Sequence, residues 1–348
     1  MRQVRLWVVG FGTVGQWLVG ALHAQAEDLA DRYGFAPTVV GIANARDGFI
    51  YRSEGLDAPT VLGLASSGRS LAEHPGIRRF PSVVEGLGAT EANLLVEVSA
   101  SRPADGEPGF THMRDALRRR IPVVTSNKWP VALHGVELAE LARSHAVAFR
   151  AESTVMSGTP VLSTLVEGLA GTTPIALRGI LNATANFILS SMMRGNSYEH
   201  ALAEAQAIGL AERDPAADVD GHDAKAKTMI LAALVFGRQL RSEQVVRAGI
   251  TGMTRAEIDD AARAGARIKL VATLEFSEDG GNGDLRARVE PLHLQSDDSL
   301  ASVEGVMNAV VCRAEPVGEV TIIGPGAGLA LAGQGVLSDL IAVAGLTD

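Results

Sequence analysis

The sequence has few of the groups that form cross-links or hold inorganic centres. Its 348 residues include a single cysteine, Cys312, which excludes an internal disulfide and leaves too few thiols for a zinc or iron–sulfur site. Aromatic residues make up only 4% of the chain, and acids outnumber bases to give a net charge of -9. This charge disfavours nucleic acid or an anionic membrane as the main partner. The scarcity of thiols predicts a cytoplasmic protein.

Long uninterrupted apolar runs are also missing, so we expect no membrane-spanning segment. The N-terminal stretch RLWVVGFGTVGQWLVGALHAQA imitates a secretory signal, but the glycine spacing inside it favours a nucleotide-binding turn. The composition, with 47% hydrophobic and 20% charged residues, is typical of globular domains, and the length allows two of them.

The glycine turn has the pattern G-x-G-x-x-G and stands between an apolar β-branched run and a helical pattern. Gly10 permits the tight turn, Gly12 lets the backbone approach a pyrophosphate, and Gly15 lets the helix pack closely on the strand. Thr13 and Val14 begin the helix, where free N–H groups favour the negative charge of phosphate. The pattern therefore predicts dinucleotide binding.

The end of the second predicted strand, residues 38–45, bears on the choice of cofactor. Folds that select NAD usually carry an acid near this point to bind the ribose 2′-hydroxyl, whereas this chain has Asn44 and then Arg46. An arginine here can accept a 2′-phosphate, so we predict NADP and keep NAD as the alternative. An ordinary loop arginine is the other interpretation of Arg46.

Two further strands are predicted over residues 94–100 and 121–127, with an amphipathic helix over residues 109–120 between them. Strands that alternate with helices predict an α/β fold with a Rossmann-type parallel sheet, whose ligands bind at the carboxyl ends of the strands. Ser99 and Lys128 fall at such ends and are predicted to lie near the ligand.

The most charged stretch of the chain, GLAERDPAADVDGHDAKAK, covers residues 209–227. An EF-hand-like metal site is disfavoured because Gly221 is in the wrong register, which leaves an exposed acidic loop or a catalytic site. A helix starting after Gly221 would place Asp223 and Lys227 on one face, with Lys225 on another. A lysine positioned by an aspartate can exchange the hydroxyl proton during hydride transfer.

Three acids in the preceding loop, Glu212, Asp214 and Asp218, are candidates for binding a substrate that carries an α-ammonium group. Asp214 is the weaker candidate of the three, and Asp220 is expected to be solvated.

These motifs together resemble those of the homoserine dehydrogenase family, over nearly the whole chain. The matching segments are VVGFGTVG near the start, VVTSNK at 123–128, AESTVMSGTP at 151–160, GILNATANFIL at 179–189, the acidic stretch, and GPGAG with VLSDL near the end. The acidic stretch is the most specific of them, because G-x-G-x-x-G is shared with many dehydrogenases.

The resemblance implies a reversible NAD(P)-dependent conversion of L-homoserine into L-aspartate 4-semialdehyde. It assigns the acid–base role to Lys227 and its support to Asp223. It implies that Glu212 binds the substrate amino group and that Asp218 makes a further contact with the substrate. It also implies that Lys128 lies near the cofactor and the substrate.

Further implied positions concern a cation, the substrate and the cofactor. Many members bind a monovalent cation, usually sodium, through a glutamate and backbone carbonyls. The positions that match are Glu152, Val155, Ser157 and Thr159 for the cation, Thr184 for the substrate and Gly328 for the cofactor.

The implied architecture is a dinucleotide-binding domain over 1–155, an α+β substrate and dimerisation domain over 156–321, and a segment over 322–348 that returns to the first domain. A homodimer is implied by the family, whereas control by an appended regulatory domain is not expected. Two departures stand out, Ala183 where glycine is common and Ala332 where threonine is usual.

Two alternatives remain open: another NADP-dependent oxidoreductase on a related amino acid, such as an aspartate dehydrogenase, or a non-catalytic dinucleotide-binding protein. The presence of Lys128, Asp223 and Lys227 speaks against the non-catalytic alternative. A phosphorylating semialdehyde dehydrogenase is disfavoured because Cys312, the only possible thiol nucleophile, lies late in the chain within predicted sheet.

Overall fold

The computed structural model of the chain describes residues 1–277 and 283–346, which form two compact units. The first unit comprises Met1–Gly158 together with the segment from Leu329, and the second is Thr159–Gly328. The transitions therefore fall after residues 158 and 328, whereas the sequence placed them after 155 and 321.

The first unit contains seven strands and eight α-helices among the described residues. The strands are β1 (Arg2–Val9), β2 (Phe35–Asn44), β3 (Gly48–Tyr51), β4 (Arg78–Phe80), β5 (Leu94–Glu97), β6 (Val123–Thr125) and β7 (Phe149–Arg150). The helices are α1 (Thr13–Ala24), α2 (Ala26–Tyr33), α3 (Ala58–Ser66), α4 (Val83–Ala89), α5 (Gly109–Arg118), α6 (Lys128–Ser144) and α7 (Ser153–Met156), with α13 (Leu329–Leu346) joining them from the C-terminal end.

The seven strands form one sheet in the order β4-β3-β2-β1-β5-β6-β7. The five strands β2, β1, β5, β6 and β7 are parallel, and β3 and β4 add an antiparallel edge. The predicted Rossmann-type sheet is confirmed. Because the strand order reverses at β1, the carboxyl ends of β1 and β5 form the crevice in which such sheets bind ligands.

Both faces of this sheet are covered, which explains the continuous apolar runs of its strands. Successive side chains of β1 point to opposite faces: Leu6 and Val8 belong to the core beneath α1, α3 and α13, whereas Trp7 and Val9 belong to the core beneath α4, α5 and α6. A glycine lets α13 approach α1, because a Cβ at Gly333 would lie 2.1 Å from the Trp17 ring.

Three predicted elements differ in extent from those observed. The strand predicted over 94–100 ends at Glu97, and the one predicted over 121–127 is Val123–Thr125, because polar side chains of these segments bind the backbone and end the pairing. The amphipathic helix predicted over 109–120 ends at Arg118, and the segment after Pro160 forms a six-residue π-helix, Ser163–Gly168.

The second unit combines a mixed sheet with helices. Its strands are β8 (Thr173–Ile180), β9 (Val245–Arg247), β10 (Ala266–Phe276), β11 (Leu285–Gln295), β12 (Met307–Glu315) and β13 (Gly318–Pro325), in the sheet order β13-β12-β8-β10-β11-β9. Its helices are α8 (Ala183–Met193), α9 (Tyr198–Ala207), α10 (Ala216–Val219), α11 (His222–Leu234) and α12 (Arg255–Arg263). This is the predicted α+β arrangement.

A charged side chain lies in the core of this unit. Lys269 on β10 is only 1% exposed, and its Nζ donates to the carbonyl of Val303 and, at 3.0 Å, to Oδ1 of Asn186 on α8. Burial lowers the pKa of Lys269 from 10.5 to about 8, because the charged form loses its hydration.

In the described part of the chain, every helix is too short or too polar to cross a membrane.

Candidate functional site

The glycine turn after β1 has the geometry that each of its three glycines requires. Gly10 has a φ of 102°, and a Cβ there would lie 2.5 Å from the backbone nitrogen of Ser99. A Cβ on Gly15 would lie 2.1 Å from the Gly10 carbonyl oxygen, so only glycine lets α1 start this close to the strand. Gly12 precedes α1 and faces open space, which leaves its backbone accessible to a ligand. Thr13 and Val14 form the first turn of α1.

A groove of about 1180 Å³ opens beside this turn at the carboxyl edge of the sheet. Gly10 and Gly12 line it together with Asn44, Arg46 and Ser99, all of them predicted cofactor residues. We call this cavity the cofactor groove. Arg46 is exposed, and its Nη1 donates to the Gly68 carbonyl at 2.7 Å.

The sequence missed one acid of the cofactor groove, Asp47, because it lies beyond the end of β2. Its side chain is 6% exposed and accepts hydrogen bonds from Asn44, Ser70 and the Leu71 N–H. Burial alone would raise the pKa of Asp47, but these hydrogen bonds hold it below the ordinary value. Since its oxygens are already engaged, Asp47 shapes the loop that carries Asn44 and Arg46.

A polar network joins the carboxyl ends of β5 and β6. The Glu97 carboxylate, fully buried, accepts from the backbone N–H of Ser99 at 2.8 Å. The Thr125 hydroxyl donates to the Glu97 carbonyl at 2.7 Å and accepts from the Asn127 N–H at 2.9 Å. Asn127 is the residue before α6, so this network fixes the backbone from which Lys128 projects as the first residue of that helix.

In the second unit the acidic stretch forms a lysine cluster, which we define as Lys227, Asp223, Asp218, Asn182 and Leu181. Gly221 has a φ of 80° and precedes α11, so Asp223 and Lys227 share one face as predicted. Lys227 Nζ lies 2.8 Å from Asp223 Oδ2 and donates to the Leu181 carbonyl at 2.7 Å. Lys227 is buried at 8% exposure, so the pair is shielded from bulk water.

Asn182 connects the acids of this cluster. Its Nδ2 donates to Asp218 at 2.7 Å and to Asp223 at 3.0 Å, while its Oδ1 caps α8 by accepting the Ala185 N–H. Asn182 falls within GILNATANFIL, one of the segments that carry the family resemblance, but no role was predicted for it. An asparagine just before a helical run is a capping signal, and that signal was available.

The remaining carboxylates of the stretch lie outside the lysine cluster. Glu212 is exposed, and its side chain makes no hydrogen bond or ion pair within the described ranges. Asp214 accepts the Ala216 N–H at 3.2 Å, and Asp220 accepts the Thr251 hydroxyl rather than being only solvated. Lys225 is half-buried, and burial, with a smaller contribution from a nearby arginine, lowers its pKa.

Two other predicted substrate and cofactor positions have defined settings. Thr184 is buried in the first turn of α8, and its hydroxyl donates to the Leu210 carbonyl at 3.2 Å. Gly328 is the last residue of the second unit, with a φ of 144° that side chains rarely adopt.

The segment predicted to bind a cation surrounds the short helix α7. Glu152 precedes the helix, is 5% exposed, and donates its backbone N–H to Asp339 at 2.8 Å. Val155 lies within α7, Ser157 follows it with a φ of 54°, and Thr159 begins the second unit. Over residues 1–277 and 283–346, no group of three or more His, Cys, Asp or Glu side chains could hold a metal ion.

Comparisons with known proteins point to one family. The family model described as homoserine dehydrogenase matches residues 160–341, which is just over half of the chain. The NAD(+)-dependent homoserine dehydrogenase of Pseudomonas canavaninivorans is 38% identical over 98% of this chain and 96% of its own length.

Solved structures agree with that result. The crystal structure of a homoserine dehydrogenase from Thiobacillus denitrificans matches with a TM-score of 0.81 and 32% identity, covering 99% of this chain and 74% of the other. A hyperthermophilic archaeal homoserine dehydrogenase in complex with NADPH matches with a TM-score of 0.79 and 32% identity, covering 98% and 97% of the two chains.

Proposed function

Because the chain belongs to the homoserine dehydrogenase family, we propose that it interconverts L-homoserine and L-aspartate 4-semialdehyde with NAD(P), through an acid–base lysine at position 227. Oxidation removes a hydride from the carbon that bears the hydroxyl and a proton from its oxygen. NAD(P)⁺ supplies the hydride acceptor when bound. Family membership supports neither an aspartate dehydrogenase nor a non-catalytic binding protein.

The observation that carries this proposal is the buried ion pair between Lys227 and Asp223, at 2.8 Å. In the direction of aldehyde reduction, the Lys227 ammonium donates the proton to the developing alkoxide, and in oxidation the same amine takes it back. Asp223 and the Leu181 carbonyl hold Nζ in one place, which reduces the entropy lost when the substrate is aligned.

For the substrate amino group, we assign Glu212 and Asp218 as carboxylate partners, with Asp214 and Thr184 as neighbouring contributors. Asp218 is the best supported of these, because Asn182 ties it to the lysine cluster. The exposure of Glu212 leaves its carboxylate available to an incoming ammonium group.

We propose NADP as the preferred cofactor, with Gly10, Gly12 and the first turn of α1 holding the pyrophosphate. Arg46 supports this choice, and Arg79 on β4 lines the same groove as a second guanidinium near a 2′-phosphate. The family contains an NAD(+)-dependent relative and another solved with NADPH, so the choice of NADP is supported by these local residues and not by family membership.

Three further assignments remain predictions from the family resemblance. Oxygen donors from Glu152, Val155, Ser157 and Thr159 are of the hard type that sodium prefers, and one carboxylate among carbonyls suits a single positive charge. A homodimer and a cytoplasmic location complete the proposal. Buried Cys312 is free, as a reducing compartment would allow.

The proposal is tested by initial rates on L-homoserine with NADP and with NAD, beside L-aspartate as the competing substrate. Lys227→Ala is expected to reduce turnover at least about 100-fold, the range typical of a lost general acid–base, while NADPH binding stays near that of the wild type. Near-normal turnover would remove Lys227 from this role. Higher activity on L-aspartate would replace the proposed substrate.

Lys225→Ala is the matched control for this experiment. Lys225 lies on the same helix but makes no ion pair with the lysine cluster in the described part of the chain. Turnover of this variant is expected to stay close to that of the wild type, which separates loss of the proton donor from general loss of positive charge on α11.

A further inference from the structure

The proposed reaction leaves a fully buried carboxylate, that of Glu97 at the end of β5, without a role. Burying a carboxylate is unfavourable unless strong donors replace its hydration. Glu97 has three such donors on its two oxygens: Oε1 accepts from the backbone N–H and the hydroxyl of Ser99, and Oε2 lies 2.7 Å from Nδ1 of His112. One carboxylate oxygen therefore binds the loop after β5, and the other binds a histidine.

His112 lies in the first half of α5, is only 6% exposed and lines the cofactor groove. Because an ionised carboxylate can only accept a hydrogen bond, the Nδ1 of His112 carries the proton that bridges to Glu97. In the neutral ring this leaves Nε2 as an acceptor. Within the described ranges, Nε2 has no hydrogen-bond partner, so its lone pair is available to a ligand in the groove.

The groove that His112 lines suits the adenine base. The adenosine half of a bound dinucleotide lies beside the end of the second strand, where Asn44 and Arg46 line the groove. Phe80, Val83 and Val98 line this same cavity with apolar surface. Apolar walls with a few convergent polar groups, here including His112, are typical of a site for a flat heterocycle with a polar edge.

We propose that Nε2 of His112 accepts a hydrogen bond from the 6-amino group of the cofactor's adenine, and that Glu97 sets the tautomer that makes this possible. Adenine offers a donor at this position, whereas a 6-oxo purine offers a second acceptor that would face the Nε2 lone pair. The pair of side chains thus selects an adenine dinucleotide over its hypoxanthine analogue. The inference rests on NAD(P) use by this chain and adds a base-reading contact to it.

The test measures the affinity of the full chain for NADPH and for its hypoxanthine analogue, by fluorescence titration in mildly alkaline buffer. The wild type is expected to bind NADPH about tenfold more tightly than the analogue, as one well-placed hydrogen bond and one avoided acceptor pair would give. His112→Leu should lower this ratio to about one, because it removes the hydrogen bond to NADPH and also the pair of facing acceptors that disfavours the analogue. His23→Leu, a change at an exposed histidine on α1, is the matched control and should keep the wild-type ratio.

Glu97→Gln separates a base-reading role from a structural one. The Gln carbonyl can still accept from Ser99, while its NH₂ would donate to Nδ1 of His112 and move the ring proton to Nε2. With Nε2 now a donor, the variant should bind the hypoxanthine analogue more tightly than NADPH, a reversal that mere loosening of the loop would not produce. The loss of the correct tautomer on acid-to-amide exchange has a precedent in serine protease triads.

An unchanged ratio in His112→Leu, or equal loss of both ligands in Glu97→Gln, would overturn the inference. Either result would leave the proposed function standing, because homoserine oxidation with NADP⁺, and aldehyde reduction with NADPH, do not require a hydrogen bond to the adenine. Loss of homoserine activity with the base preference intact would be the opposite outcome and would count against the proposed function instead.

Discussion

At the scale of single residues, the basic side chains fall into two groups, buried lysines and an exposed arginine. Lys227 and Lys269 are buried and held by carbonyl oxygens, with an acid added only for Lys227. Arg46 is exposed at the cofactor groove, and its guanidinium has only a backbone carbonyl as its hydrogen-bond acceptor within the described ranges. A buried lysine can serve as a proton donor or a packing element, whereas an exposed arginine beside a groove is available to a phosphate.

Arg46→Ala is expected to weaken NADPH binding about 10- to 100-fold, the value of one charge-assisted hydrogen bond to phosphate, and to change NADH binding little. The physical reason is that only NADPH carries the 2′-phosphate. Titration of both cofactors against the variant measures the effect.

Arg69→Ala is its control, since Arg69 follows the Gly68 carbonyl that Arg46 contacts but pairs with Glu73. Equal losses of affinity for NADPH and NADH in Arg46→Ala would exclude a contact between Arg46 and the 2′-phosphate. Arg79 would then be the remaining candidate for that contact.

At the scale of the elements, the residue that precedes α8 both caps the helix and contacts the lysine cluster. Asn182 caps this helix with its Oδ1, and its Nδ2 donates hydrogen bonds to Asp218 and Asp223. The helix start and the lysine cluster therefore depend on one side chain. In contrast, Ser197 caps α9 by accepting the His200 N–H and has no contact with that cluster.

Asn182→Ala and Ser197→Ala therefore form a matched pair. Each should lower the free energy of unfolding by about 1 kcal/mol through loss of a cap. Only Asn182→Ala should also reduce homoserine turnover, by about tenfold or more, because Asp218 and Asp223 lose their common donor. Chemical denaturation and initial rates measure the two effects, and a similar fall in turnover for both variants would show that cap loss alone is responsible.

For the molecule as a whole, the buried Lys269 links folding to proton binding. Its pKa is lowered to about 8 in the folded chain, so the folded protein releases this proton at a pH where the unfolded chain still holds it. Because the unfolded state then binds more protons, the stability rises with pH between about 8 and 10.5. Below pH 8 both states are protonated, and the full penalty of burying the charge is present.

Lys269→Met removes this linkage. The difference in free energy of unfolding, wild type minus variant, should rise by about 3 kcal/mol as pH increases through this window, at 1.36 kcal/mol per pH unit. Taking the difference cancels the contributions of the other titrating groups, whereas the lost bonds to Asn186 and Val303 add an offset to the difference and not a slope with pH. Denaturant midpoints measured along a pH series check the sign, and a difference that is flat with pH would contradict it.

Much of this architecture follows from patterns that are local along the chain. The glycine turn after β1, the alternation of strands and helices, and the pairing of Asp223 with Lys227 on one helix face all depend on neighbours within a few residues, so periodicity and spacing predict them. The same holds for the family resemblance, whose motifs are short segments. Boundaries were less accurate, since side chains such as those of Glu97 and Thr125 end strand pairing through hydrogen bonds to the backbone that no periodicity reveals.

Contacts between distant segments lay beyond these patterns. Asn182 meets Asp218 and Asp223 across separations of 36 and 41 residues, and Glu97 meets His112 because β5 and α5 pack together. Folding is what removes water from these groups, and only then does a carboxylate require a specific donor and a histidine acquire one tautomer. Local sequence therefore sets which side chains are available, and the packing of remote strands and helices selects which of them work together.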